Sequence, residues 1–88
     1  MYVLIGYDAP NGQELRKLHR EAHLEKLRAL ARAGKIVAAG PFTDGSGSLI
    51  VFDVATKTEV ELIAKTDPYV MHRVFERYEI KPFEKVLP

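Results

Sequence analysis

At 88 residues the chain makes one domain, residues 1–88, and buries a limited share of its surface alone, so self-association is expected. Thirteen basic residues against twelve acidic ones leave a formal charge of +1, which excludes a general electrostatic grip on nucleic acid or an anionic membrane and sends the search for partners to a local site. Cysteine is absent, so disulfides, thiolate nucleophiles and cysteine zinc sites are excluded; no stretch is apolar enough to span a bilayer and no leader signal opens the chain, so a cytoplasmic protein is expected.

Tyr2 to Asp8, rich in aromatic and β-branched residues and closed by Ala9-Pro10-Asn11-Gly12, predicts a first strand. From Gln13 to Ala33 the pattern turns helical, with Leu15, Leu18, Ala22, Leu27 and Leu30 as apolar positions and Gly34 as the stop. Lys35 to Phe42 reads as a second strand. The turn formers Thr43 to Gly47 then join it to a third, Ser48 to Val54, as an antiparallel hairpin. Thr56 caps a second helix, Lys57 to Lys65, which stops near Asp67-Pro68. Val74 to Val86 supplies the last strand, interrupted by Pro82. The order β-α-β-β-α-β predicts an α+β, ferredoxin-like domain with one antiparallel sheet and both helices on one face. Strands one and three are apolar on both faces: Val3 and Ile5 oppose Leu4, and Leu49 and Val51 oppose Ile50 and Phe52. The outer face is expected to be covered by the sheet of a second copy; the plainer alternative is a monomer with scattered exposed apolar residues.

Arg16, Arg20 and His23 share a helical stripe with Leu27 and Leu30, while Lys17, Glu21, Glu25, Arg28 and Arg32 point away. Charge is costly to bury without a partner, so two guanidiniums and an imidazole turned inward at one end of a helix suit a pocket better than a core. His19 and His23 at i and i+4 have zinc-binding spacing, but the chain reads His19-Arg20-Glu21-Ala22-His23, without the Glu that follows the first His in H-E-x-x-H, and Arg20 would repel a cation. Metal is therefore the lesser reading, with His19 an ordinary surface residue. His23 is either a core-edge histidine bonded to a main-chain carbonyl or an acid–base group; for the latter, Asp67 is the best orienting carboxylate. Asp67 precedes Pro68, so it also suits the plain role of capping the amides that follow. Asp8, Asp44 and Asp53 read as turn and strand-end residues.

Arg20-x-x-His23-Leu24-x-x-Leu27, Ala39-Gly40-Pro41, Gly47-Ser48-Leu49, Asp67-Pro68-Tyr69 and Ile80-Lys81-Pro82-Phe83, in that order over nearly the whole chain, resemble the YCII-related proteins of the dimeric α/β barrel superfamily. The resemblance implies a homodimer of ferredoxin-like subunits, with a cleft holding a His–Asp catalytic pair at His23 and Asp67. Lys26 and His72-Arg73 depart from the family pattern, which often has a tyrosine and a small Ala-Gly step at these places.

Together these readings predict a cofactor-independent enzyme in which His23 moves a proton and Asp67 orients it. Arg20, with Arg16, would hold an anionic or phenolic oxygen, and Ser48 and Tyr69 would complete the site. Isomerisation or elimination next to a carbonyl fits an acid–base pair without metal or organic cofactor, and the resemblance, to relatives that include a dehalogenating enzyme, implies dehalogenation as one such reaction. The alternatives are a module that only binds a small anion, and a structural dimer in which Arg16 and Arg20 pair with acids such as Glu76 or Glu79 and leave no cavity.

Overall fold

A computed structural model describes all 88 residues. Seven elements follow in order: β1 (Tyr2–Asp8), α1 (Gly12–Arg32), β2 (Ile36–Pro41), β3 (Gly47–Phe52), α2 (Lys57–Lys65), α3 (Pro68–Met71) and β4 (Phe75–Pro82). The four strands form one sheet in the order β2-β3-β1-β4, every neighbouring pair antiparallel. This is the ferredoxin-like arrangement expected from the element order.

Local chemistry accounts for the boundaries. The 21 residues of α1 include no β-branched side chain and many Ala, Leu, Arg, Lys and Glu, all strong helix formers. At its end Gly34 takes φ 76°, a left-handed conformation that lets Lys35 N–H donate to Leu30 C=O at 2.9 Å and Gly34 N–H to Ala31 C=O at 2.9 Å, closing the last turn. Thr56 Oγ1 accepts from Glu59 N–H at 3.3 Å and starts α2.

Two strand ends and one short helix differ from the sequence reading, the other element ends agreeing to within one residue. β3 ends at Phe52 rather than Val54, because Phe52 already pairs with Tyr2 and Ile36, the first residues of both neighbours. β4 ends at Pro82 rather than Val86. It has only β1 beside it, and its register with β1 ends at the pair Tyr2–Pro82, followed by one bond from Phe83 N–H to Met1 C=O. The short helix α3 was not anticipated; Asp67 and Pro68 start it rather than merely ending α2.

The pleat divides the strand residues between two faces. Leu4, Ile50 and Phe52 pack beneath the helices with Leu27 of α1, Val60 and Ala64 of α2, Tyr69 of α3, and Val74 and Phe75. Burying each large apolar side chain contributes about 1.5–3 kcal/mol before the entropy of folding is subtracted. Val3, Ile5, Leu49 and Val51 form a half-buried apolar stripe on the other face. Tyr7 and Glu79 edge that stripe, joined by a hydrogen bond from the Tyr7 hydroxyl to Glu79 Oε2 at 3.2 Å.

Two glycines bring the backbone close where the site is built. A Cβ on Gly47 would lie 1.8 Å from the Gly6 carbonyl oxygen, and one on Gly6 would lie 2.6 Å from the Phe75 ring. The first absence allows β3 to press against β1 next to Ser48; the second seats Phe75, whose ring supports Tyr69.

Candidate functional site

His23 lies midway along α1 on the face that meets α3, and Asp67 is the N-cap of α3. His23 Nδ1 is 2.8 Å from Asp67 Oδ1, and both side chains are buried. The same carboxylate oxygen accepts from Tyr69 N–H at 2.8 Å. Asp67 therefore caps α3 and contacts the histidine with the same oxygen. A carboxylate is an acceptor, so this contact places a proton on Nδ1, and in a neutral ring Nε2 is then the nitrogen without one. Nε2 bonds to no protein group and keeps access to solvent, and His23 lines a cleft. The main-chain carbonyl considered as its partner is not the one it uses.

Tyr69, 2% exposed, stacks on the imidazole at 3.8 Å between centroids and 3° between planes. Phe75 meets Tyr69 edge-on at 5.5 Å, and the Arg16 guanidinium lies 5.1 Å from the Tyr69 ring centre. Aromatic neighbours on this scale restrict the ring's orientation and exclude water around it. Burial pushes the Tyr69 phenol above its ordinary value, while the charges of Arg16 and Arg20 pull it back.

The two arginines of the inward stripe part company. Arg16 makes a two-point contact with Asp8, Nε to Oδ2 and Nη2 to Oδ1, each at 2.8 Å, and Nη2 also donates to Ser48 Oγ at 2.9 Å. The hydrogen bond to Asp8 raises the Arg16 guanidinium above its ordinary value, against the opposing effect of burial. Nη1 makes none of these three bonds, and the Tyr69 hydroxyl is a further hydrogen-bonding neighbour of the guanidinium. The sequence suggests a turn residue at Asp8. It is instead a buried carboxylate beside the start of α1, carried there next to a register shift where Tyr7 faces Arg77 but Asp8 faces Phe75. Arg20 is exposed at the cleft and has no ion-pair partner; neither arginine pairs with Glu76 or Glu79.

His19 and His23 do not converge. His19 stacks on His72 at 3.9 Å and 2°, one turn from the His23–Tyr69 stack, so two parallel ring pairs join α1 to α3. No group of three or more potential metal-ligating side chains is present. Lys26 turns its ammonium to the C-terminal end of α2, donating to Ile63 C=O and to Thr66 Oγ1. Burial lowers its pKa while Asp67 raises it. Neither Lys26 nor His72 lines the cleft.

The cleft, about 490 Å³, opens between α1 and the β2–β3 hairpin. His23, Arg16, Arg20, Ser48 and Tyr69 all line it; Asp67 stands behind His23. Leu24, Leu27 and Ile50 supply an apolar portion, and Ala39, Gly40 and Pro41 give it a small-residue wall. A volume of this order suits a small molecule.

The fold and this cleft define a small α+β domain with a buried His–Asp pair whose outer nitrogen meets solvent. The chain belongs to the YCII-related family, whose domain matches residues 1–84. It is 30% identical over 96 aligned positions to Protein YciI of Escherichia coli O6:H1, with 98% of each chain covered. It is 32% identical over 98 positions, with 97% of each covered, to an uncharacterized protein of Haemophilus influenzae. Among solved structures, its fold is similar to that of 5-chloro-2-hydroxyhydroquinone dehydrochlorinase from Burkholderia phenoliruptrix in complex with 2,5-dihydroxybenzoquinone. The TM-score is 0.84 at 22% identity, covering 94% of this chain and 92% of that one. No helix is long and apolar enough to cross a membrane.

Proposed function

We propose that the protein is a cytoplasmic acid–base enzyme that isomerises or eliminates from a small anionic or phenolic ring compound. The observation that carries this reading is the buried His23–Asp67 contact, which spends Nδ1 on a carboxylate and leaves Nε2 at the cleft. In the proposed reaction Nε2 removes a proton next to a carbonyl or enol. The resulting imidazolium, held by Asp67, returns a proton to the substrate or to the departing group. Arg20, assisted by Arg16 Nη1, holds the oxygen on which negative charge develops, and Ser48 and Tyr69 complete the wall. Such proton transfer contributes about 10²–10⁴ in rate, so the guanidinium must supply part of the remainder. The fold-level likeness to a dehydrochlorinase bound to a quinone supports this class of substrate without fixing it.

We further propose that the working form is a homodimer, with Val3, Ile5, Leu49 and Val51 of one protomer packed on the same stripe of a second copy. An apolar sheet face with no covering layer of its own supports this arrangement.

The test is hydrogen exchange in heavy water with a panel of enolisable cyclic ketones and hydroxyquinols. The acid–base reading predicts exchange by the wild-type protein that falls at least about 100-fold in His23→Ala while binding persists. The unpaired Arg20 also fits a module that only binds a small anion. In that case no compound exchanges, and His23→Ala changes affinity or nothing.

A further inference from the structure

The charges around the cleft are one-sided. Of the residues that line it, Arg16, Lys17 and Arg20 are cationic and none is acidic. Arg16 is neutralised by Asp8. Lys17 and Arg20, like Arg32, Lys65, Arg73, Lys81 and Lys85, take part in no ion pair or side-chain hydrogen bond, but of these cations only Lys17 and Arg20 line the cleft. Lys17, which the helical pattern points away from the pocket, joins the cleft wall in the structure.

Position along α1 adds geometry to charge. Lys17 and Arg20 are three residues apart, so their attachment points are separated by about 4.5 Å along the helix axis. The next cleft-lining turns present Leu24 and Leu27, with Ile50 across from them. The cleft is therefore cationic at one end and apolar at the other. His23 stands between the two ends, its Nε2 in reach of solvent.

We propose that the ligand of this cleft is a single ring carrying two anionic groups on neighbouring or alternate positions, either two carboxylates or a carboxylate and an ionised hydroxyl. This rests on the proposed function and deepens it by giving the charge and shape of the substrate. One anionic group meets Arg20 beside His23, the second meets Lys17 at the mouth, and the bare edge of the ring lies against Leu24, Leu27 and Ile50. A singly charged ring leaves one cation unmatched. A doubly charged open chain satisfies both cations but leaves the apolar end wetted. Lys17 thereby becomes a specificity residue, distinct from the proton-transfer pair.

Calorimetric titration at low ionic strength with benzoate, benzene-1,3-dicarboxylate and glutarate tests this, with the imidazole signals of His23 followed by NMR in parallel. The expected result is that the aromatic dicarboxylate binds at least tenfold more tightly than either of the others, a difference of about 1.4 kcal/mol. Added salt should reduce that preference. Lys17→Gln should remove most of the advantage over benzoate and leave benzoate affinity nearly unchanged, whereas Arg20→Gln should weaken both aromatic ligands. Equal binding of benzoate and the dicarboxylate, with His23 responding to both, overturns the two-charge ligand and leaves the proposed function standing. Glutarate binding as tightly as the aromatic dicarboxylate overturns the ring. No binding by any probe and no response at His23 overturns the inference together with the reading it rests on.

Discussion

Tyr69 lies flat against His23, 3.8 Å between ring centres, while its own amide donates to the Asp67 oxygen that bonds His23. One residue thus holds both members of the pair, one through its ring and the other through its main chain. Truncating it should loosen the core and the pair together. Tyr69→Ala is expected to cost about 3–5 kcal/mol in a urea unfolding experiment, as large aromatic deletions in cores do. Tyr69→Phe keeps the ring and should cost no more than about 1.5 kcal/mol.

The same residue gives a dependence on pH. Burial raises the Tyr69 phenol in the folded chain, so above about pH 10 the unfolded chain loses this proton more readily than the folded one. The stabilising contribution is complete below the unfolded value and is lost as pH rises through the folded value. Lys26 acts in the opposite sense. Its folded value is lowered, so stability rises with pH through the window up to its unfolded value. Comparing wild type with Tyr69→Phe cancels the lysine contribution. Unfolding curves between pH 9 and 11 should show a smaller alkaline loss in Tyr69→Phe; equal losses would remove the phenol from this role.

Asp8 and Arg16 form the second buried pair, and removing one partner leaves the other charge uncompensated. Asp8→Ala should destabilise by about 3–5 kcal/mol. The double variant Asp8→Ala, Arg16→Met should cost at least about 1 kcal/mol less than the sum of its singles, since the groups are in direct contact. Strict additivity in this cycle would show the contact to be energetically idle.

The visibility of these features in the sequence varied with how local their causes are. Helix α1 is plain in the sequence because it lacks β-branched residues and is followed by a glycine at position 34, which the structure places at positive φ. The meeting of His23 and Asp67 was foreseeable from an inward imidazole and a carboxylate before proline, two local signals, with a family resemblance joining them. Asp8 was not foreseeable. Its position beside Arg16 depends on a register shift against β4, far away in sequence, and no spacing around Asp8 encodes it. For the same reason Arg16 and Arg20 looked equivalent, although only one has a carboxylate to hold it. Four residues of α3 are too few to show a helical period.

Gly47 offers a test of how the hairpin delivers Ser48. A methyl group there would meet the Gly6 carbonyl far inside van der Waals contact, so Gly47→Ala must push β3 away from β1. Overpacking of this kind typically costs about 1–3 kcal/mol. Hydrogen exchange should quicken at the Ser48 end of the β1–β3 ladder more than at the Phe52 end.

In the β2–β3 turn, Asp44 Oδ1 accepts from Ser46 Oγ at 2.6 Å and from Ser46 N–H at 2.9 Å, and these bonds hold its carboxyl below the usual range. Ser46→Ala removes the larger of the two causes. Carboxyl NMR titration should then show Asp44 moving up toward an ordinary aspartate; an unmoved value would assign the shift to the amide alone.

The most direct measurement is the nitrogen-15 NMR spectrum of histidine-labelled protein, taken at neutral imidazole and then with benzene-1,3-dicarboxylate added. A neutral His23 protonated on Nδ1 with a bare Nε2, and a ligand-induced shift of Nε2 that exceeds any at His19 or His72, is the predicted result. A His23 protonated on Nε2, or an Nε2 signal indifferent to every small anion tried, would contradict a proton-transferring pair at the cleft.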